Sequence, residues 1–158
     1  MLRQDGSPPL YYMLLHFWIG LFGTKESATH ALSLVFSTLT VPLGLWGSWK
    51  LFGRWVGIVT AILCAANPFL TAYAQETRMY SLVGLLSLAC TIFFLLVFVR
   101  RERRYIPFFA VALVALLYTH LWSAFLVIGV GLTILWMLWQ RREERRALFR
   151  DAVLGFGG

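Results

Sequence analysis

Three acidic residues, Asp5, Glu26 and Glu76, stand apart from the arginine clusters of the sequence. Glu76 is the one set in a pattern able to do chemistry. It lies in Tyr73-Ala74-Gln75-Glu76-Thr77-Arg78-Met79-Tyr80, directly between two long apolar runs, with no room for a real loop. A carboxylate held there has low-dielectric surroundings and a guanidinium close by. Such a pair can orient a sugar hydroxyl and bind a phosphate, and the carboxylate can take the hydroxyl proton as a general base. The structural alternative is a solvated turn flanked by the interfacial tyrosines common in aromatic belts. His120, in Leu117-Tyr118-Thr119-His120, is a second candidate, able to reach the same cavity as Glu76. His16 and His30 read as structural or interfacial. No Gly-rich phosphate loop, paired-histidine helix or nucleophile elbow is present.

These residues have to be positioned by apolar helices. The chain is 59% hydrophobic and only 13% charged over 158 residues, against about 25% charged in an ordinary soluble domain. The apolar residues come in runs. Trp55 to Gln75 and Met79 to Val99 contain no charge, and Ile106 to Gln140 contains only a histidine. Uncharged apolar runs of about 18 residues or more read as transmembrane helices. The fold class is therefore all-α, a polytopic transmembrane helix bundle in one membrane domain over residues 1–158. No flexible linker or internal repeat divides it. Cys64 and Cys90 both lie inside apolar runs, without metal-ligand spacing, and read as small packing residues.

The net charge of +7 points to membrane topology and not to nucleic acid. Of the 14 basic residues, eleven fall in three groups: Lys50 with Arg54, Arg100 to Arg104, and Arg141 to Arg150. Cytoplasmic loops collect Lys and Arg, which places all three groups inside and leaves only Arg3, Lys25 and Arg78 outside. The basic loops are then in reach of anionic lipid headgroups. A single helix over Ile106 to Trp139 would be about 50 Å long, against a hydrocarbon core of about 30 Å. It would also put its two arginine clusters on opposite faces. Two short helices with an outer hairpin near Tyr118, Thr119 and His120 satisfy both constraints. Ala28 to Trp49 then runs outside to inside, Trp55 to Ala74 inside to outside, and Met79 to Val99 outside to inside, which makes five spans.

The first apolar stretch, Leu10 to Phe22, is too short to span. It reads as one outer juxtamembrane helix with Ser7 as N-cap and Pro8 at N1, placing Tyr11, Tyr12 and Trp18 at headgroup depth. A signal peptide is the competing reading, weakened by Asp5 and the double proline. Asn67-Pro68 either kinks the second span, opening space beneath the Gln75-Glu76 turn, or is a neutral irregularity, and the neutral reading is preferred.

Four segments in order resemble a family. Ser7-Pro8-Pro9-Leu10-Tyr11-Tyr12 resembles the Pro-Pro-Leu-Tyr-Tyr segment of polytopic GT-C glycosyltransferases, in their Rgt-like and protein-mannosyltransferase-like branch. Leu21 to Glu26 resembles the segment that follows. Asn67-Pro68-Phe69 and Ala74 to Tyr80 resemble its Ser-Pro-Phe and Ser-Gln-Glu-Ala-Arg-Met-Tyr motifs, and Tyr118-Thr119-His120 a later Tyr-Thr-His motif. The resemblance implies a membrane transferase that takes a sugar from a polyprenyl-phosphate donor to a glycan, lipid or protein acceptor. It implies a multi-pass plasma-membrane protein of the cell envelope, with its active face outside the cytoplasm.

The expected catalytic carboxylates are Glu76 and Asp5. The expected substrate-binding groups are Gln75, Arg78, Ser7, Tyr11, Tyr80 and His120. No pattern specifies a cofactor, and a divalent metal is left open. The chain departs from the family in having Ser7 where relatives have His, and Thr29-His30-Ala31-Leu32-Ser33 where relatives read Leu-Arg-Leu-Pro-Ser. Relatives also place a catalytic Asp after an earlier membrane helix. Asp5 does not match that base, so the chain is expected to be a catalytically incomplete piece of a longer protein. The alternative function is a non-enzymatic membrane protein, a transporter segment or assembly subunit, in which Glu76 and Arg78 only brace the bundle.

Overall fold

A computed structural model describes residues 10–68 and 79–156 of the chain. Asp5, Ser7, Gln75, Glu76 and Arg78 lie outside the described residues. Among the described residues every regular element is helical: α1 (Leu10–Phe22), α2 (Glu26–Phe52), α3 (Arg54–Ala65), α4 (Tyr80–Phe94), α5 (Ile106–Leu117) and α6 (Ser123–Phe156). A π-helical turn, Leu95–Val99, extends α4, and a 3₁₀ turn, Arg103–Tyr105, leads into α5. The chain divides into two compact units, residues 1–124 and 125–158.

Among the described residues, three stretches are long and apolar enough to cross a membrane: Ala28–Phe52, Tyr80–Val99 and Ser123–Gln140. α3 and α5, at 12 residues each, are about 18 Å long and fall short of a crossing by themselves. Large apolar side chains stand exposed along the helices, among them Ile62 at 61%, Leu63 at 65% and Val111 at 69%. A surface this apolar suits lipid and would be a liability in water. The threonines follow the same logic. Thr60, Thr91 and Thr133 are each hydrogen-bonded to the carbonyl four residues back, so none needs water to satisfy its hydroxyl.

Packing within the first unit fixes the helix directions. Tyr11 of α1 packs with Leu32 near the start of α2 and Leu82 near the start of α4. Leu51 near the end of α2 packs with Ile92 and Leu96 near the end of α4. α2 and α4 therefore run parallel. α3 returns antiparallel to α2: a Cβ on Gly57 would meet the Leu45 carbonyl oxygen and the Trp49 Cβ at 2.8 Å, while one on Gly44 would meet Cys64 Sγ at 3.3 Å. Such backbone approach is what small residues permit between membrane helices. α5 starts beside the end of α4, with Phe93 stacked on Tyr105 and Phe108. It ends where the Tyr118 carbonyl accepts the Leu10 N–H at 3.1 Å. This alternation is the one expected from the arginine distribution.

Three local expectations change. The helix beginning at Arg54 ends at Ala65, short of Asn67-Pro68. Proline disfavours the helical conformation in the residue before it, so Asn67 terminates the helix. The remainder of the expected span, residues 69–74, lies outside the described residues. α6 continues unbroken through the Arg141 to Arg150 cluster, expected as a loop. That stretch holds neither Gly nor Pro, and its Arg, Glu, Ala and Leu residues are strong helix formers. Tyr11, expected at headgroup depth, is fully buried. Tyr11, Leu15 and Trp18 share one face of α1 at helical spacing, and that face packs on the bundle.

Candidate functional site at the α1 end of the bundle

α1 is held on the bundle by its aromatic face. The Tyr11 hydroxyl pairs with Ser33 Oγ at 3.0 Å, both groups buried. Trp18 Nε1 donates to the Ala28 carbonyl at 2.8 Å. Each polar tip of a buried aromatic thus has a partner, as burial requires. Gly23, with φ +87°, turns the chain out of α1, and its N–H caps the Ile19 carbonyl at 2.8 Å. A residue with a side chain would be strained at that φ, so glycine fixes the corner between α1 and α2.

The second wall is the break between α5 and α6, where residues 118–122 turn. Thr119 is buried, and its Oγ1 donates to the Ala115 carbonyl at 2.7 Å. His120 Nδ1 accepts the Trp122 N–H at 3.1 Å. A neutral imidazole with Nδ1 occupied as acceptor carries its proton on Nε2. A neutral His120 is thereby set to donate from Nε2. Tyr80, at the first position of α4, has its ring 6.2 Å from the His120 ring at a tilted angle. The Ser123 hydroxyl is buried beside this turn without a hydrogen-bond partner.

Three segments distant in sequence therefore meet at one end: Leu10-Tyr11-Tyr12, Met79-Tyr80 and Tyr118-Thr119-His120. Of the expected binding residues, the Tyr80 and His120 rings lie near one another and Tyr11 is buried in the packing of α1 on α2 and α4. The site carboxylates and Arg78 lie outside the described residues. Reading the residues alone named Thr119 only as part of the Tyr118-Thr119-His120 motif and missed Ser33 and Ser123, because a hydroxyl in an apolar run carries no periodic signal of its own. Among the described residues, no group of three His, Cys, Asp or Glu side chains is placed to hold a metal ion.

The segments that converge here are those that carry the resemblance, and the match is not confined to them. Residues 6–155 match the family model for dolichyl-phosphate-mannose-protein mannosyltransferase. The chain belongs to that mannosyltransferase family. No curated protein and no solved structure matches it. Membership gives a membrane glycosyltransferase of the GT-C, mannosyltransferase-like branch. In that setting a hydroxyl-rich and aromatic end suits sugar recognition, since aromatic faces and hydroxyls supply contact and hydrogen bonds without a charge buried in lipid.

The opposite end of the first unit is built differently. Glu102 pairs with Arg104 at 2.7 Å and with Lys50 at 3.3 Å, and Lys50 Nζ also donates to the Tyr105 hydroxyl at 2.6 Å. Hydrogen bonding from Arg104, with Lys50 adding to it, holds the Glu102 carboxyl below the usual glutamate range. Arg100 Nη2 donates to the Lys50 and Leu51 carbonyls at 3.2 and 2.5 Å, capping the last turn of α2. None of the described motif residues lies here.

Proposed function

We propose that this protein transfers a sugar from a polyprenyl-phosphate donor to an acceptor hydroxyl, at the membrane face on which α1 lies. We assign that face to the outside of the plasma membrane. The observation that carries the reading is the meeting of the Leu10-Tyr11-Tyr12, Met79-Tyr80 and Tyr118-Thr119-His120 segments at one end of the bundle. The basic groups at Lys50 to Arg54 and Arg100 to Arg104 lie at the other end. Basic loops belong inside, which leaves the α1 end outside, where a lipid-linked sugar is accessible.

In this reading Glu76, with Asp5 as the second carboxylate, orients and deprotonates the acceptor hydroxyl. The oxygen attacks the anomeric carbon as the bond from that carbon to the donor phosphate breaks. The lipid phosphate leaves toward Arg78, which receives its charge. His120 donates from Nε2 to a sugar or phosphate oxygen. Gln75, Ser7, Tyr11 and Tyr80 complete the substrate-binding set, Tyr11 by seating α1.

The test is transfer from radiolabelled polyprenyl-phosphate mannose by the full-length protein in proteoliposomes. Glu76→Gln should lower the rate about tenfold or more, the loss expected for a general base or orienting carboxylate, with membrane insertion intact. Arg78→Ala should chiefly raise KM for the donor. Unchanged transfer in both variants would reduce the motif to a structural turn.

A further inference from the structure

We propose that Arg54, Arg101 and Arg103 form a binding site for the phosphate headgroup of an anionic phospholipid, at the end of the bundle remote from the transfer site. The starting point is how the cations at that end are already used. Glu102 takes Lys50 and Arg104. Arg100 is committed to the carbonyls that end α2. Arg54, Arg101 and Arg103 are exposed, and among the described residues none of the three makes an ion pair.

The backbone places these three on two segments that are bonded to one another. The Arg100 hydrogen bonds to Lys50 and Leu51 anchor the 100–105 loop on the last turn of α2, three residues before Arg54. Arg101 is next in chain to Arg100. Successive Cα atoms are about 3.8 Å apart, so Arg54, three residues after Leu51, and Arg101 and Arg103, within three residues of Arg100, lie on the two segments that these bonds join. The loop is pinned on its other side by Arg100 N–H to the Leu95 carbonyl at 3.0 Å and Glu102 N–H to the Leu96 carbonyl at 2.9 Å. Between those bonds Arg101 adopts φ +59°, a left-handed conformation that L-residues with a Cβ adopt only at a cost. The tethers thus hold Arg101 in an orientation that free chain would rarely sample. α3 begins at Arg54 with no acidic residue in its first turn and no side-chain cap, so the dipole of its N-terminus adds to the positive field.

The surroundings select a lipid phosphate. Trp49, Phe52 and Trp55 are 51%, 64% and 75% exposed around the same corner, and the Arg54 guanidinium lies 5.8 Å from the Trp55 ring. Exposed tryptophans at the end of membrane helices mark headgroup depth. A guanidinium there meets phosphodiesters as its commonest anion and can bind them bidentately, while the flanking rings and apolar helix faces take the acyl chains.

Native mass spectrometry of the full-length protein tests this, with phosphatidylglycerol and phosphatidylcholine of identical chains added in equal amounts. The wild type should retain phosphatidylglycerol preferentially. The combined Arg54→Gln, Arg101→Gln, Arg103→Gln variant should lose that preference about tenfold or more, since each cation at the surface contributes separately. Arg141→Gln, Arg142→Gln, Arg145→Gln removes the same charge elsewhere and should keep it. Arg101→Gln alone, with its melting temperature measured, should show a partial loss in a folded protein. Retention unchanged in the triple variant would overturn the proposal. So would an equal loss in the Arg141 triple, which would mean net charge alone. Displacement of the lipid by millimolar inorganic phosphate would make it a soluble-anion site and also overturn it.

Discussion

The two ends of the first unit solve the same problem with different chemistry. At the α1 end, helices are joined by neutral contacts: the Tyr11–Ser33 hydroxyl pair, the Trp18 bond to Ala28, and the Tyr80–His120 ring contact. At the other end they are joined by charge, through Lys50, Glu102, Arg104 and the arginine cap on α2. Neutral polar groups can be buried beside lipid once hydrogen-bonded, whereas a charge there needs a partner. Among the described residues the α1 end is therefore held without charge, as the proposed site requires of its walls, and the other end is suited to anchoring. The difference teaches that, among the described residues, the ion pairs of the first unit gather at the end opposite the Tyr80–His120 contact.

The sharpest way to break the comparison is at Tyr11. Tyr11→Ala should cost about 3 kcal/mol or more, as for other large buried aromatics, and detach α1 from α2 and α4. Tyr11→Phe keeps the packing and loses only the hydroxyl pair, at about 1 kcal/mol. Thermal unfolding in detergent distinguishes the two. If both cost the same, the hydroxyl pair and not the ring seats α1.

A smaller effect is expected in the α2–α3 hairpin that carries the charged end. Gly57→Ala would place a methyl 2.8 Å from the Leu45 carbonyl and the Trp49 Cβ, and overpacking of this kind costs about 1–3 kcal/mol. Unfolding midpoints should fall while the donor KM of the remaining folded protein stays unchanged. A raised KM with normal stability would mean that the two ends are mechanically coupled.

The smallest effect is titration of Glu102. Its carboxyl is held below the usual range in the folded protein, so its contribution is present at neutral pH. That contribution is lost as pH falls through the depressed folded value. Wild type should lose part of its thermal stability in acid that Glu102→Gln has already lost at neutral pH. Added salt should narrow the neutral-pH gap between them.

Much of this arrangement was legible in the residues. The short run between Pro9 and Gly23 marks α1, and bilayer thickness demands the break that residues 118–122 supply. The basic groups at residues 50–54 and 100–104 share an end as the charge asymmetry requires. What was not legible depends on partners far along the chain. Nothing near Glu102 predicts Lys50, because that pairing needs the parallel packing of α2 and α4, and nothing near Tyr11 predicts Ser33, because that pairing needs α1 folded back on α2 at the Gly23 corner. The helical course of α6 through its arginines was hidden by treating charge as a sign of loop, although no residue there breaks a helix. Tyr80 and His120 were readable as motif residues, while their meeting is a property of the fold.

The claim that chemistry resides at the α1 end is tested most directly by comparing His120→Ala with Lys50→Ala in transfer from polyprenyl-phosphate mannose, at matched folded protein. The predicted result is a loss of kcat/KM of about tenfold or more for His120→Ala. Lys50→Ala should stay within about twofold of wild type, its cost appearing as about 1 kcal/mol of stability. Normal transfer by folded His120→Ala, or an equal loss of transfer in Lys50→Ala, would contradict the assignment of the site to that end.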